Sequence, residues 1–117
     1  MKMFIQDGIL HVYYKTLENF DQEVAEICVN DRKEFTNHQS YPCLVDVVQI
    51  KHLTKEARDF LAVYGSEGIT ANAIIVHSAV LKMMANFYIN VNKPLTPTRM
   101  FTEEQPAVEW LKKYRKG

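Results

Sequence analysis

At 117 residues, with 47% hydrophobic and 24% charged side chains, the chain has the size and mix of one globular domain, and no apolar window approaches a membrane span. Fourteen basic residues balance fourteen acidic ones, so the long-range field that gathers phosphate backbones is missing and nucleic acid is not an expected partner. Cys28 and Cys43 form no CxxC, and Met1, Lys2 and Met3 lead straight into strand residues, which predicts no leader and reduced, buried thiols in a cytoplasmic protein.

Residues 3–6 and 9–14 read as two strands joined at Asp7 and Gly8, a dipeptide that supplies the positive φ angles of a tight hairpin. From Thr16 onward, Leu17, Phe20, Val24, Ile27, Cys28 and Phe35 recur every three or four residues and predict an amphipathic helix. Asp31 interrupts that stripe where its side chain can reach water. Pro42 then breaks the chain before residues 43–50, a nearly continuous apolar run that suits a central strand covered on both faces. Asp46 lies inside it and needs a partner.

Thr54 stands at the N-cap of a second helix carrying Ala57, Phe60, Leu61 and Tyr64, which Gly65 or Gly68 ends. A buried strand over 71–76 follows. Ser78 caps a third helix reaching about Asn90, and the segment 92–97, with Pro94 and Pro97, leads stiffly into a short strand over 98–101. Thr102 and Gln105 have capping-box spacing. The last helix runs to about Arg115 with Ala107, Trp110, Leu111 and Tyr114 inward, and Pro106 makes its start irregular. Lys112, Lys113, Arg115 and Lys116 end that helix and Glu103 and Glu104 begin it, which complements a helix dipole.

The order is therefore ββαβαβαβα in an α/β fold: strands separated by helices run parallel, the opening hairpin adds one antiparallel neighbour, and the result is a mixed sheet with helices packed on it. The third helix is the anomaly. Val80, Leu81, Met83, Met84, Ala85, Phe87, Tyr88, Ile89 and Val91 sweep an apolar arc of about 240°, roughly twice what contact with a sheet covers. The surplus is covered by a neighbouring helix, a homodimer face or a cavity for an apolar small molecule. Met83, Met84, Phe87 and Tyr88 suit an interface or such a ligand because they adapt to irregular surfaces.

In open parallel sheets, ligands gather beyond the carboxyl ends of strands. Lys51, His52 and Thr54 follow the central strand, His77 and Ser78 the next, and Thr102 the last, a set that suits a phosphate or carboxylate or, alternatively, plain helix caps. His11 and His38 have no metal-ligand spacing to each other or to either cysteine. No base stands beside a nucleophile and no carboxylates are paired, so neither an enzyme nor a cofactor is expected.

Leu44, Val45, Asp46, Val47 and Val48, then Leu53 to Ala57, and above all the ending Arg99 to Leu111 with Phe101, Ala107, Trp110 and Leu111, resemble the SpoIIAA-like group of STAS-related bacterial proteins. The resemblance implies a non-catalytic regulatory module that docks on a protein partner such as an anti-sigma factor and is switched by phosphorylation at the start of the second helix. Thr54 matches that position, with His52, Leu53, Thr54 and Lys55 in place of the usual acidic-hydroxyl-glycine sequence. The group is also likened to lipid carriers, which makes a carrier or sensor of an apolar, lipid-like ligand the alternative to a dimeric interaction module.

Overall fold

A computed structural model describes residues 1–115. The elements are β1 (Lys2–Gln6), β2 (Ile9–Leu17), α1 (Gln22–Phe35), β3 (Tyr41–Ile50), α2 (Lys55–Val63), β4 (Ile69–Ile75), α3 (Ala79–Phe87), β5 (Thr98–Phe101) and α4 (Glu104–Leu111). They build one five-stranded sheet in the order β1-β2-β3-β4-β5, antiparallel between β1 and β2 and parallel elsewhere. The mixed α/β sheet expected from the sequence is the observed fold. Asp7 and Gly8, at φ +53° and +75°, turn the opening hairpin.

Each parallel step moves one place in the same direction, so right-handed crossovers carry α1, α2 and α3 to one face and leave the other to α4. Strand alternation separates the two linings. Ile9, Leu44, Ala71, Ala73 and Ile75 pack with Ala107 and Leu111 of α4, while Leu10, Val12, Cys43 and Ile69 face the opposite way. Trp110 packs tilted against Phe101 and edge-on against Tyr114, with ring centroids 5.8 and 5.2 Å apart.

Several local expectations are corrected. The first helix begins at Gln22 rather than Thr16, because Asp21 accepts the Val24 N–H at 3.0 Å and fixes the cap, while β2 continues to Leu17 in register with Ile50. That phase buries Ala25, Val29 and Arg32 and leaves Ile27 and Phe35 exposed. Pro42 lies within β3 at a register shift against β4, where a missing N–H is tolerated. β4 begins at Ile69, two residues before the expected start, because Gly68 at φ +77° supplies the turn into it. The third helix stops being α-helical at Phe87 and passes into a π-helical turn, Tyr88–Asn92, closed by Lys93 at φ +50°.

Glu103, without a side-chain cap bond, stands at the N-cap of α4, so the Thr102 and Gln105 capping box does not form. With Glu104 the first helical residue, Pro106 falls in the first turn, where its absent N–H breaks no intrahelical bond. α4 ends at Leu111 and a 3-10 turn, Lys112–Tyr114, follows. Arg115 is directed back onto the hairpin turn, Nη1 donating to the Asp7 carbonyl at 3.2 Å. Lys116 lies outside the described residues.

Candidate functional site

The helices of the three-helix face stand around a cavity of about 190 Å³. Val12, Val45, Val47 and Ile74 of the sheet form its floor. Cys28 and Val29 of α1, Leu61 of α2, and Leu81, Met84, Ala85 and Tyr88 from α3 and its π turn form the walls. The lining is mostly carbon. A closed, empty void of that size would cost roughly 4–5 kcal/mol, since close-packed interiors rarely hold spaces larger than a water molecule.

A few polar groups interrupt this lining. Asn72 is the polar residue of β4 on the cavity side, and its Oδ1 is buried without a hydrogen-bond partner. Its backbone N–H donates to the Pro97 carbonyl at 2.8 Å, so the orphan belongs to the side chain alone. Burial raises the Tyr14 and Tyr88 hydroxyl pKa values, and burial also pushes the Cys43 thiol up to about 12. Both cysteines are free, and those thiols are poor nucleophiles because desolvation disfavours the thiolate.

Two arginines stand in the wall, and both are engaged. Arg32, buried on α1, donates Nη1 to the Glu67 carbonyl at 2.8 Å and Nη2 to the Gly65 carbonyl at 3.2 Å. Arg58 of α2 lies over the Phe87 ring at 4.8 Å and donates Nε to Asn92 Oδ1 at 3.2 Å. Asn92 in turn donates to Asp59 at 2.7 Å, and the Leu95 N–H donates to the Ala62 carbonyl at 3.0 Å. These bonds clasp the π turn to α2 along one side of the cavity.

The apolar arc of α3 thus resolves into two faces. Leu81 and Ala85 are buried and Met84 and Tyr88 half-buried on the cavity side, whereas Val80, Met83, Phe87 and Val91 are exposed. Of the four interface candidates, Met84 and Tyr88 line the cavity and Met83 and Phe87 face away from its core.

The carboxyl-edge residues remain in three separate loops. Lys51 pairs with Glu18 at 3.2 Å, and the exposed His52 uses its carbonyl to accept the Phe20 N–H at 2.7 Å. Thr54 and Ser78 cap α2 and α3, their hydroxyl oxygens accepting the Ala57 and Leu81 N–H groups at 3.1 Å each. Thr102 is exposed beside Glu103 and Pro106 in a shallow cleft with Val76 and Lys82. Among the described residues no side-chain hydrogen bond or ion pair joins one loop's set to another's.

His77 instead turns back to the sheet, Nε2 lying 2.5 Å from Asp46 Oδ1, which supplies the partner that an acid within an apolar strand requires. On that same face Phe4, His11 and Tyr13 stack, with Phe4 and His11 centroids 4.7 Å apart. The Tyr13 hydroxyl donates to Glu104 at 3.3 Å, and burial, helped by Glu104 and Asp46, pushes its pKa up to about 12. Burial lowers the pKa of His11. The Tyr13–Glu104 bond acts as a polar staple between β2 and α4.

The sequence offered a cavity behind the third helix as one alternative, without Asn72 in its wall, and gave no sign of this staple. A signal existed for the first in Asn72, the polar side chain on the cavity side of a strand whose neighbours there are apolar. None existed for the second, since Tyr13 and Glu104 stand 91 positions apart.

No helix among the described residues is long and apolar enough to cross a membrane. The fold is similar to that of an uncharacterized protein of the DUF3478 family with a SpoIIAA-like fold from Shewanella loihica PV-4, at 14% identity, TM-score 0.60, and coverage of 94% of this chain and 90% of that one. A protein of unknown function from Arthrobacter sp. FB24 aligns at 26% identity over 95% of this chain and 98% of that one, with a TM-score of 0.34. No curated protein matches significantly. A family model described as a domain of unknown function, DUF7793, matches residues 3–115, and the chain, with its SpoIIAA-like fold, belongs to that family.

Proposed function

We propose that this protein is a non-catalytic interaction module that pairs with a second copy of itself through the outward face of α3. The observation that carries the reading is a run of large apolar side chains left in solvent: Val80, Met83, Phe87, Val91 and Leu95 are 56, 68, 46, 59 and 73% exposed. Val80, Met83 and Phe87 fall within about 60° on α-helical geometry, so they form one stripe rather than scattered residues. Contiguous stripes of this kind mark interaction surfaces, whereas single exposed apolar residues do not.

A second copy is the occupant favoured by charge. From Ser78 to Asn92 the only charged residue is Lys82, and no acid or paired base is present to select an oppositely charged partner. A two-fold contact places the same patch on both sides, and a patch whose nearby charges are Lys82 and the Asn92-bound Arg58 over Phe87 meets its own image with little like-charge repulsion. Five side chains make only the centre of a standard interface, which takes roughly 20–30 residues a side, so the pairing is expected to be reversible, with Kd on the order of micromolar.

Sedimentation velocity of the full chain from about 1 to 500 μM tests this across the expected dissociation constant. A shift from monomer to dimer that Met83→Asp abolishes supports the reading. A monomer throughout, or a Met83→Asp dimer as tight as the parent, overturns it, and a partner of another kind would then have to cover the stripe. The Thr54 hydroxyl already accepts the Ala57 N–H, and this reading assigns it to capping rather than to a switch.

A further inference from the structure

We propose that the cavity behind α3 is a binding site for a small, uncharged molecule about the size of one substituted aromatic ring, with an O–H or N–H directed to Asn72. The inference goes beyond self-association, and its test reads out on the monomer.

Size sets the first limit. At about 190 Å³ the space is a little larger than the roughly 150 Å³ engineered apolar cavity that admits benzene, and it is too small for a long acyl chain or a diacyl lipid. A single ring fits within this space, whereas a long acyl chain would have to extend beyond it.

Polarity sets the second. The Asn72 side-chain oxygen is the only buried side-chain polar atom without a hydrogen-bond partner among the described residues, and it belongs to the cavity wall. Rotation of an amide about its broad terminal torsion presents that oxygen to an occupant's donor. Leaving a buried acceptor unpaired is unfavourable, so a ligand that brings a donor gains more here than an equally sized hydrocarbon.

Charge sets the third. The wall holds no Asp or Glu that would take up a cationic ligand. Its two guanidinium groups are committed, Arg32 to the Gly65 and Glu67 carbonyls and Arg58 to Asn92 and the Phe87 ring. A carboxylate would have to break one of these arrangements, so an uncharged donor-bearing ring is the better match.

Phenol and toluene, equal in shape and different in one donor, are the probes. Each is titrated into the isotopically labelled full chain carrying Met83→Asp, the variant expected to be monomeric, and into the same chain with Asn72→Leu added. Both probes are expected to shift the amide signals of Leu61, Asn72 and Met84. Asn72→Leu is expected to weaken phenol roughly tenfold while changing toluene less than about twofold. If Asn72→Leu fails to fold, Ala85→Leu, which fills the space from α3, should abolish binding of both probes. Shifts absent from these residues, an equal change for both probes in Asn72→Leu, or undiminished binding in Ala85→Leu would overturn the proposal.

Discussion

Met83 and Met84 are adjacent in sequence and stand in opposite surroundings: Met84 lines the cavity against the sheet, and Met83 is 68% exposed on the outer side of the same helix. Successive residues of a helix lie 100° apart, so one apolar run wide enough for two faces serves both. A charge introduced at each position should therefore separate the faces. Met83→Asp is expected to stay within about 1 kcal/mol of the parent's stability, while Met84→Asp buries a carboxylate without a partner and loses roughly 3 kcal/mol or more. Urea titrations of both, followed by far-UV circular dichroism, check the contrast.

Thr54 and Ser78 hold the starts of α2 and α3 with nearly identical bonds. Thr54→Ala and Ser78→Ala are each expected to lose about 1 kcal/mol. Thr102 makes no such bond, and Thr102→Ala should stay within about 0.5 kcal/mol of the parent. A loss at Thr102 equal to that at Thr54 would contradict the assigned cap.

His11 is buried in a stack with Phe4 and Tyr13, and burial lowers its pKa below the usual 6.5. The unfolded chain therefore binds a proton that the folded chain resists. The stability contributed by neutral His11 is complete above about pH 6.5 and is lost as pH falls from there toward the depressed folded value. Urea midpoints at pH 7.5 and 5.5 should show the drop, and His11→Phe, which keeps a ring in the stack, should make it smaller.

Arg32 joins α1 to the turn before β4 through two carbonyls, and the Gly68 backbone passes close enough that a Cβ there would lie 3.3 Å from Arg32 Nη1. Lysine keeps the charge but lacks the fork, so Arg32→Lys is expected to lose about 2 kcal/mol. Gly68→Ala should also destabilise, because φ is +77° there. Chemical denaturation of the two variants checks both statements.

The order of strands and helices, the Asp7 and Gly8 turn and the caps at Thr54 and Ser78 were legible because each depends on residues within one turn or one period of the chain. The start of α1 was not. Leu17 and Phe20 carry helix-compatible spacing, yet Leu17 extends β2 and Phe20 packs beside Ala25 and Ala57 outside any helix. Pro42 read as a stop because a proline ends ladders in isolation, whereas here a register shift beside β4 accommodates it. The surplus apolar width of α3 was visible in the sequence, but its division between Met84 and Met83 depends on where α1 and α2 stand above the sheet. The partners of Asp46 and Tyr13 depend on loops and helices far along the chain, which periodicity does not address.

Proposed self-association places the outer face of α3 against its own copy. An isotope-filtered nuclear Overhauser experiment on an equal mixture of labelled and unlabelled chain, at a concentration where association is complete, tests this most directly. Intermolecular contacts are expected from the Met83 methyl to Val80, Phe87 or Val91 of the second copy. Intermolecular contacts confined to another surface, or none at all at that concentration, would contradict it.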